Sequence, residues 1–114
     1  MNVTRCDAAP RYHPPEHDGM ACLRLQGHEA GPSDALWLGV SHLLPGGGTS
    51  LAASNVEKMY VVLDGEVVVR TDTEECVLRR LDSVRLASGE PRQLLNRSNL
   101  PATILLAMPY PKRT

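Results

Sequence analysis

The fold class this chain predicts is all-β, and three observations carry that expectation. From Ala35 onward, short runs rich in Val and Leu are broken about every eight to twelve residues by Gly, Pro, Asp or Ser. Those runs are too short and too rich in β-branched residues for helices. The 114 residues are enough for one core and too few for two ordinary ones, and with no Phe that core falls to Val, Leu and Ile.

The elements follow in order. Residues 1–34 carry Pro10, Pro14, Pro15, Gly19, Gly27, Gly31 and Pro32, a density of breakers that excludes a long helix and predicts an extended arm. Met20 to Gln26 form one strand within it. Further strands are expected near 35–44, 49–53, 58–64, 66–71, 75–80, 83–87, 92–96 and 102–108. Trp37 packs as core or interface. Asp64-Gly65 between two β-branched runs reads as a tight hairpin, because Gly accepts the positive φ such turns require. Met59 to Leu63 is apolar at every position, so a second layer or a partner subunit is expected to cover both faces of that strand.

Twelve basic and thirteen acidic side chains leave a net charge of −1, which gives no global pull toward nucleic acid or an anionic membrane. No apolar run approaches a membrane span, and the N-terminus lacks the order of a signal peptide, so the expected location is the cytoplasm. Cys6, Cys22 and Cys76 are odd in number and lack Cys-x-x-Cys spacing, which predicts reduced thiols. His13 and His17 flank Pro14 and Pro15, which prevents the helix that would align them as ligands; both read as residues of a surface arm. His28, in a turn flanked by Gly, reads as solvated.

Two motifs carry chemistry. Pro45-Gly46-Gly47-Gly48-Thr49 and Leu63-Asp64-Gly65-Glu66 frame the first; Asp82, Gly89 and Asn96 mark the second. Together they resemble a small single-domain cupin, a jelly-roll or double-stranded β-helix barrel, over about residues 36 to 108. The resemblance implies a barrel at 35–110, flanked by the arm at 1–34, which packs on the barrel or on a dimer partner, and by a tail at 111–114. A cupin of this type holds a metal on two His and a Glu from the first motif and a His from the second. Aligned on Gly65, those first-motif positions fall on Ala52, Ser54 and Lys58, and the second-motif His falls on Arg92. The resemblance therefore implies the scaffold without its usual metal ligands, and no cofactor is expected.

A divalent site needs lone-pair donors, whereas Lys58 and Arg92 offer positive donors only. Buried positive charge without a partner is costly, so the barrel centre is expected to take a small anion, a carboxylate above all. Arg92 suits a two-point grip on a carboxylate, and Lys58 supplies a compact charge with a movable pKa. By strand parity Ser54 and Tyr60 share the face of Lys58, and Asn96 that of Arg92, which makes Ser54, Lys58, Tyr60, Arg92 and Asn96 the candidate ligand-binding set. Lys58 and Arg92 are the candidate catalytic pair, for proton transfer, isomerisation or lyase chemistry. Two alternatives stand beside this: a non-catalytic metabolite-binding or sensor module, and a metal-dependent cupin, such as a dioxygenase or decarboxylase, that uses Glu57 and His42 as atypical ligands. A homodimer is expected, from the resemblance and from open sheet edges. Neither nucleic acid nor membrane is expected as a partner.

Overall fold

A computed structural model describes residues 1–111. Of the tail expected at 111–114, only Pro111 falls among the described residues. Nine strands occur among the described residues: β1 (Arg11–Tyr12), β2 (His17–Gln26), β3 (Leu36–Thr49), β4 (Lys58–Asp64), β5 (Val67–Arg70), β6 (Glu75–Leu78), β7 (Ser83–Leu86), β8 (Gln93–Leu95) and β9 (Ala102–Pro109). Two short 3-10 turns, Cys6–Ala8 and His28–Ala30, are the helical content of the described residues. No helix among them is long and apolar enough to cross a membrane.

Neighbouring strands run in the order β6-β5-β8-β3-β9-β4-β7, with β2 laid on β3 and β1 on β2. All pairings are antiparallel, and the sheet curls into a nearly closed barrel. Alternation decides which side chains enter it. Val62 on β4, Val67 on β5, Leu43 on β3 and Ile104 on β9 have no exposed surface and meet in one aliphatic core.

Several local expectations change in three dimensions. Residues 49–53 form no separate strand: β3 runs straight through Pro45 and the glycines to Thr49, and Ala52 makes only an isolated bridge with Arg92. Asp64-Gly65 is a turn but not a hairpin, because β4 pairs with β7 and β9 whereas β5 pairs with β6 and β8. Gly65, at φ 77°, instead carries the chain from one wall of the barrel to the other, so close to the start of β9 that a Cβ would lie 2.7 Å from the Pro101 carbonyl oxygen. The outer face of β4 is not covered within the chain: Met59 is 50% and Leu63 38% exposed.

The triple glycine has a packing cause. The backbone of β3 squeezes here between β2 and β8: a Cβ on Gly47 would strike the Gly19 carbonyl, and one on Gly48 the Leu94 carbonyl. Main-chain bonds from Gly46 N to Asn96 O (2.8 Å) and from Asn96 N to Gly47 O (2.9 Å) close the gap. Opposite them β2 carries a register shift between Asp18 and Met20, with Gly19 at φ 61°. A bulge of this kind reverses the facing of the residues on its far side.

Gly48→Ala is expected to destabilise the fold by about 2 kcal/mol or more, because the backbones of β3 and β8 must separate. Gly46→Ala, at φ 81° with open space around it, carries only the conformational cost of about 1 kcal/mol. Urea denaturation of the two variants reads the difference, and equal losses would contradict the packing account.

Candidate functional site

Three elements converge at one mouth of the barrel. β4 begins with Lys58, 6% exposed, and Tyr60, 4% exposed; the segment entering β8 presents Arg92, 8% exposed; and β3 ends on buried Thr49. Ser41 and Trp37 lie farther back along β3. Over this floor lies the N-terminal arm, whose Tyr12, His13, Pro14 and Pro15 form the outer rim of a cavity of about 410 Å³.

Arg92 is the hub. Its Nε donates to the Tyr60 hydroxyl (3.1 Å) and its Nη1 to the Thr49 hydroxyl (3.1 Å), while its backbone exchanges two 3.0 Å bonds with Ala52. Thr49 Oγ1 also accepts from Leu94 N (3.0 Å) and donates to Ser50 O (2.9 Å), so its orientation is set. With Nε and one Nη1 proton engaged, donors remain for a ligand. Burial pushes the Tyr60 phenol up in pKa against the opposing pull of Arg92, which keeps it a neutral hydroxyl near pH 7.

Lys58 lies beside this hub. Burial first, and the positive charge of Arg92 second, bring its pKa from 10.5 down to about 8. Among the described residues neither Lys58 nor Arg92 makes an ion pair, and no Asp or Glu lines the cavity. Glu57 turns outward, as strand parity predicts, and pairs with Arg85 at 2.5 Å.

The arm contributes more than a rim. His17 on β2 is the register partner of Thr49 on β3, so both side chains share the inward face. His17 Nδ1 lies 2.7 Å from the Pro15 carbonyl oxygen. Because a carbonyl can only accept, the neutral ring carries its proton on Nδ1. Burial pushes the imidazolium down in pKa, and Arg92 and Lys58 add to that against the opposing influence of the Pro15 bond and Asp18. Behind it the wall is aromatic: Tyr12 and Trp37 meet edge to face at 5.8 Å, with the Arg24 guanidinium 3.6 Å over the Tyr12 ring and 4.4 Å from that of Trp37. His28 is exposed yet not simply solvated, since its ring packs on Trp37 (5.2 Å) and Tyr110 (4.7 Å).

Of the residues expected from sequence, Lys58, Tyr60 and Arg92 come together in the cavity, whereas Ser54 and Asn96 do not line it. Ser54 Oγ donates to the Val56 carbonyl. Asn96, 1% exposed, is taken up by structure: its amide nitrogen donates to Leu43 O and Leu100 O, and its oxygen accepts from Ser98. Glu57 and His42 stay apart, His42 bonding Thr103 on the outer face, and no group of three or more His, Cys, Asp or Glu able to hold a metal occurs among the described residues. Sequence reasoning did not place Tyr12, Arg24 or Thr49 in the site, took Trp37 for core or interface, and read His17 as a residue of a surface arm, whereas it lines the cavity. Trp37 and Thr49 share odd parity on β3 and were open to detection, but the bulge at Gly19 hid His17. Buried Cys22 accepts a hydrogen bond from Ser41 Oγ at 3.3 Å, and desolvation holds its thiol up in pKa, which disfavours the thiolate.

Comparison with known proteins agrees with this fold. Residues 39–108 match the family described as Cupin domain. A Mycobacterium tuberculosis protein named β-D-galactosidase Rv1717 is 46% identical over 97% of this chain and 96% of its own length. Among solved structures, the polyketide cyclase RemF from Streptomyces resistomycificus superposes with a TM-score of 0.87 at 15% identity, covering 100% of this chain and 82% of that one. A sugar phosphate isomerase of the cupin superfamily from Silicibacter pomeroyi gives 0.78 at 25% identity, covering 96% and 74%.

The lowered pKa of Lys58 fixes the sign of a stability test. Between about pH 8 and 10.5 the unfolded chain holds the proton that the folded chain has lost, so this residue's penalty is full below pH 8 and fades as pH rises through that window. Lys58→Met is therefore expected to be about 1 to 3 kcal/mol more stable than wild type at pH 7, with the gap shrinking toward pH 10.5. Denaturation at a series of pH values checks it; a variant less stable than wild type at pH 7 would mean that Lys58 has a partner.

Proposed function

The chain belongs to the cupin family, and on that premise we propose that it is a sugar-handling cupin whose ligand is a small saccharide bearing a carboxylate. One observation carries the reading: Lys58 and Arg92 are both buried at the cavity floor with no acidic side chain lining the cavity among the described residues. Two desolvated cations favour an anion, and the free guanidinium edge of Arg92 matches a carboxylate. The Tyr12–Trp37 wall suits the apolar face of a sugar ring. A galactose-type ring is further supported by the name of the mycobacterial relative, and sugar chemistry by the name of the isomerase.

Within this reading Arg92 grips the carboxylate, Tyr60 donates a neutral hydroxyl bond, and Lys58, with a pKa of about 8, acts as an acid or as a stabiliser of developing negative charge. A second reading, hydrolysis of a neutral β-D-galactoside, is favoured by the 46% identity to the named galactosidase. It would proceed without the paired carboxylates usual in glycosidases, since none lines the cavity among the described residues. A purely binding role, as in a sensor, uses the same pocket without turnover.

Calorimetry with D-galacturonate and D-galactose separates these readings. D-galacturonate is expected to bind at least tenfold more tightly, with the preference lost in Arg92→Met; equal affinity for both sugars would overturn the anionic ligand. Release of nitrophenol from 4-nitrophenyl β-D-galactopyranoside distinguishes an enzyme from a binding module.

A homodimer belongs to the same proposal. Its support is the open apolar outer face carrying Leu36, Met59 and Leu63. Sedimentation should give a dimer for wild type and a monomer for Met59→Lys, and a wild-type monomer at micromolar concentration would count against it.

A further inference from the structure

We infer that His17 is the acid–base residue of this pocket, exchanging a proton with the bound sugar through Nε2 while Arg92 and Lys58 hold the oxyanion that results. The inference rests on the sugar-pocket reading above and adds the group that moves the proton.

Three observations support it. His17 faces inward because it is paired with Thr49, whose hydroxyl holds Arg92, so the imidazole stands next to the cationic floor. The Pro15 carbonyl accepts a hydrogen bond from Nδ1–H and so fixes the tautomer, leaving Nε2 as a lone-pair acceptor with no protein hydrogen-bond partner among the described residues. The ring lines both the main cavity and a recess beneath the arm. A neutral imidazole with a bonded Nδ1 and a free Nε2 is the arrangement a general base requires.

The step balances within the site. The O–H bond of a ligand hydroxyl breaks, the proton bonds to Nε2, and the electron pair stays on oxygen as an alkoxide facing Arg92 and Lys58. In hydrolysis of an aryl galactoside the same transfer takes a proton from the attacking water as its oxygen bonds to C1, and the C1–O bond to the aryl group breaks with its electron pair leaving on the phenolate. Reversal returns the proton and restores the neutral ring. Occupancy by an anion offsets the repulsion from the two cations, so the bound state favours the imidazolium that the empty site disfavours. The charged groups acting on His17 are Lys58 from β4 and Arg92 from the entry to β8, both across the cavity, and Asp18, its neighbour on β2, which alternation turns to the other face. Thr49 and Ser50 on β3 bring no charge, Glu16 is bonded by Ser50 Oγ at 2.5 Å, and Arg11 and His13 line the adjoining recess.

Ring-nitrogen NMR across a pH titration, with His17→Gln to assign the signals, tests the inference first. The free protein should show the Nδ1–H tautomer titrating below the ordinary imidazole range, and Lys58→Met and Arg92→Met should each move that titration upward. The opposite tautomer, or a titration unmoved in both variants, overturns the inference whether or not any sugar binds. Turnover of 4-nitrophenyl β-D-galactopyranoside is the second arm. His17→Gln should lower kcat about 100-fold or more and abolish the acid limb of the pH profile, while D-galacturonate still binds. Wild-type turnover in His17→Gln counts against the acid–base role, whereas none in the wild type counts against the hydrolytic reading and leaves the NMR result to decide. Failure of wild type to bind D-galacturonate sinks the sugar-acid reading alone and leaves the NMR result standing.

Discussion

A guanidinium inside a small barrel must be met by acceptors, and at Arg92 that requirement organises the mouth of the molecule. Tyr60 on β4 and Thr49 on β3 each accept one of its protons, and Ala52 pairs with its backbone. Three separate stretches of chain are thereby drawn to one point. Each of these acceptors is neutral, so the bonds satisfy donors without cancelling the charge. Lys58 then meets an environment that is both dry and positive, which accounts for its depressed pKa. Among the described residues no acidic side chain meets the two cations at the cavity floor, and this is the feature on which the proposal of an anionic ligand rests.

The N-terminal arm decides what kind of site this mismatch becomes. Without it, the barrel mouth would open to water and the charges would be screened. Tyr12, Pro14 and Pro15 roof the opening, and the bulge at Gly19 turns His17 inward beside Met20. Arg24, stacked on Tyr12 and Trp37, ties this roof to the wall. The same residues that form the lid thus contribute the aromatic surface and the titratable nitrogen of the pocket, so shape and chemistry are not separable here.

Departures of the fold from the linear reading share one origin. Asp64-Gly65 has the composition of a hairpin, yet its flanking strands belong to opposite walls, because Gly65 lets the backbone turn against Pro101 and Ala102. The glycines of β3 look like a loop in composition, but they continue a strand, since only backbones without Cβ atoms can pass between Gly19 and Leu94 at that spacing. Asn96 lies at the spacing of the family motif but is turned to Leu43 and Leu100, where it closes a buried corner. In each case a contact between distant segments outweighs the local preference.

The sequence by itself determined the all-β class and the β4 alternation that sends Lys58 and Tyr60 inward, and through the family resemblance it placed Lys58 and Arg92 at motif positions that usually carry metal ligands. These follow from strand period and from residue chemistry at motif spacing, both of which are local. Only the tertiary structure decided that His17, Tyr12 and Trp37 join them and that Ser54 and Asn96 do not. The facing of His17 depends on a register shift in which Gly19 of β2 stands opposite residues 44–47 of β3, packed against Gly47, and the roof depends on an arm whose many Pro and Gly residues carry no period to read.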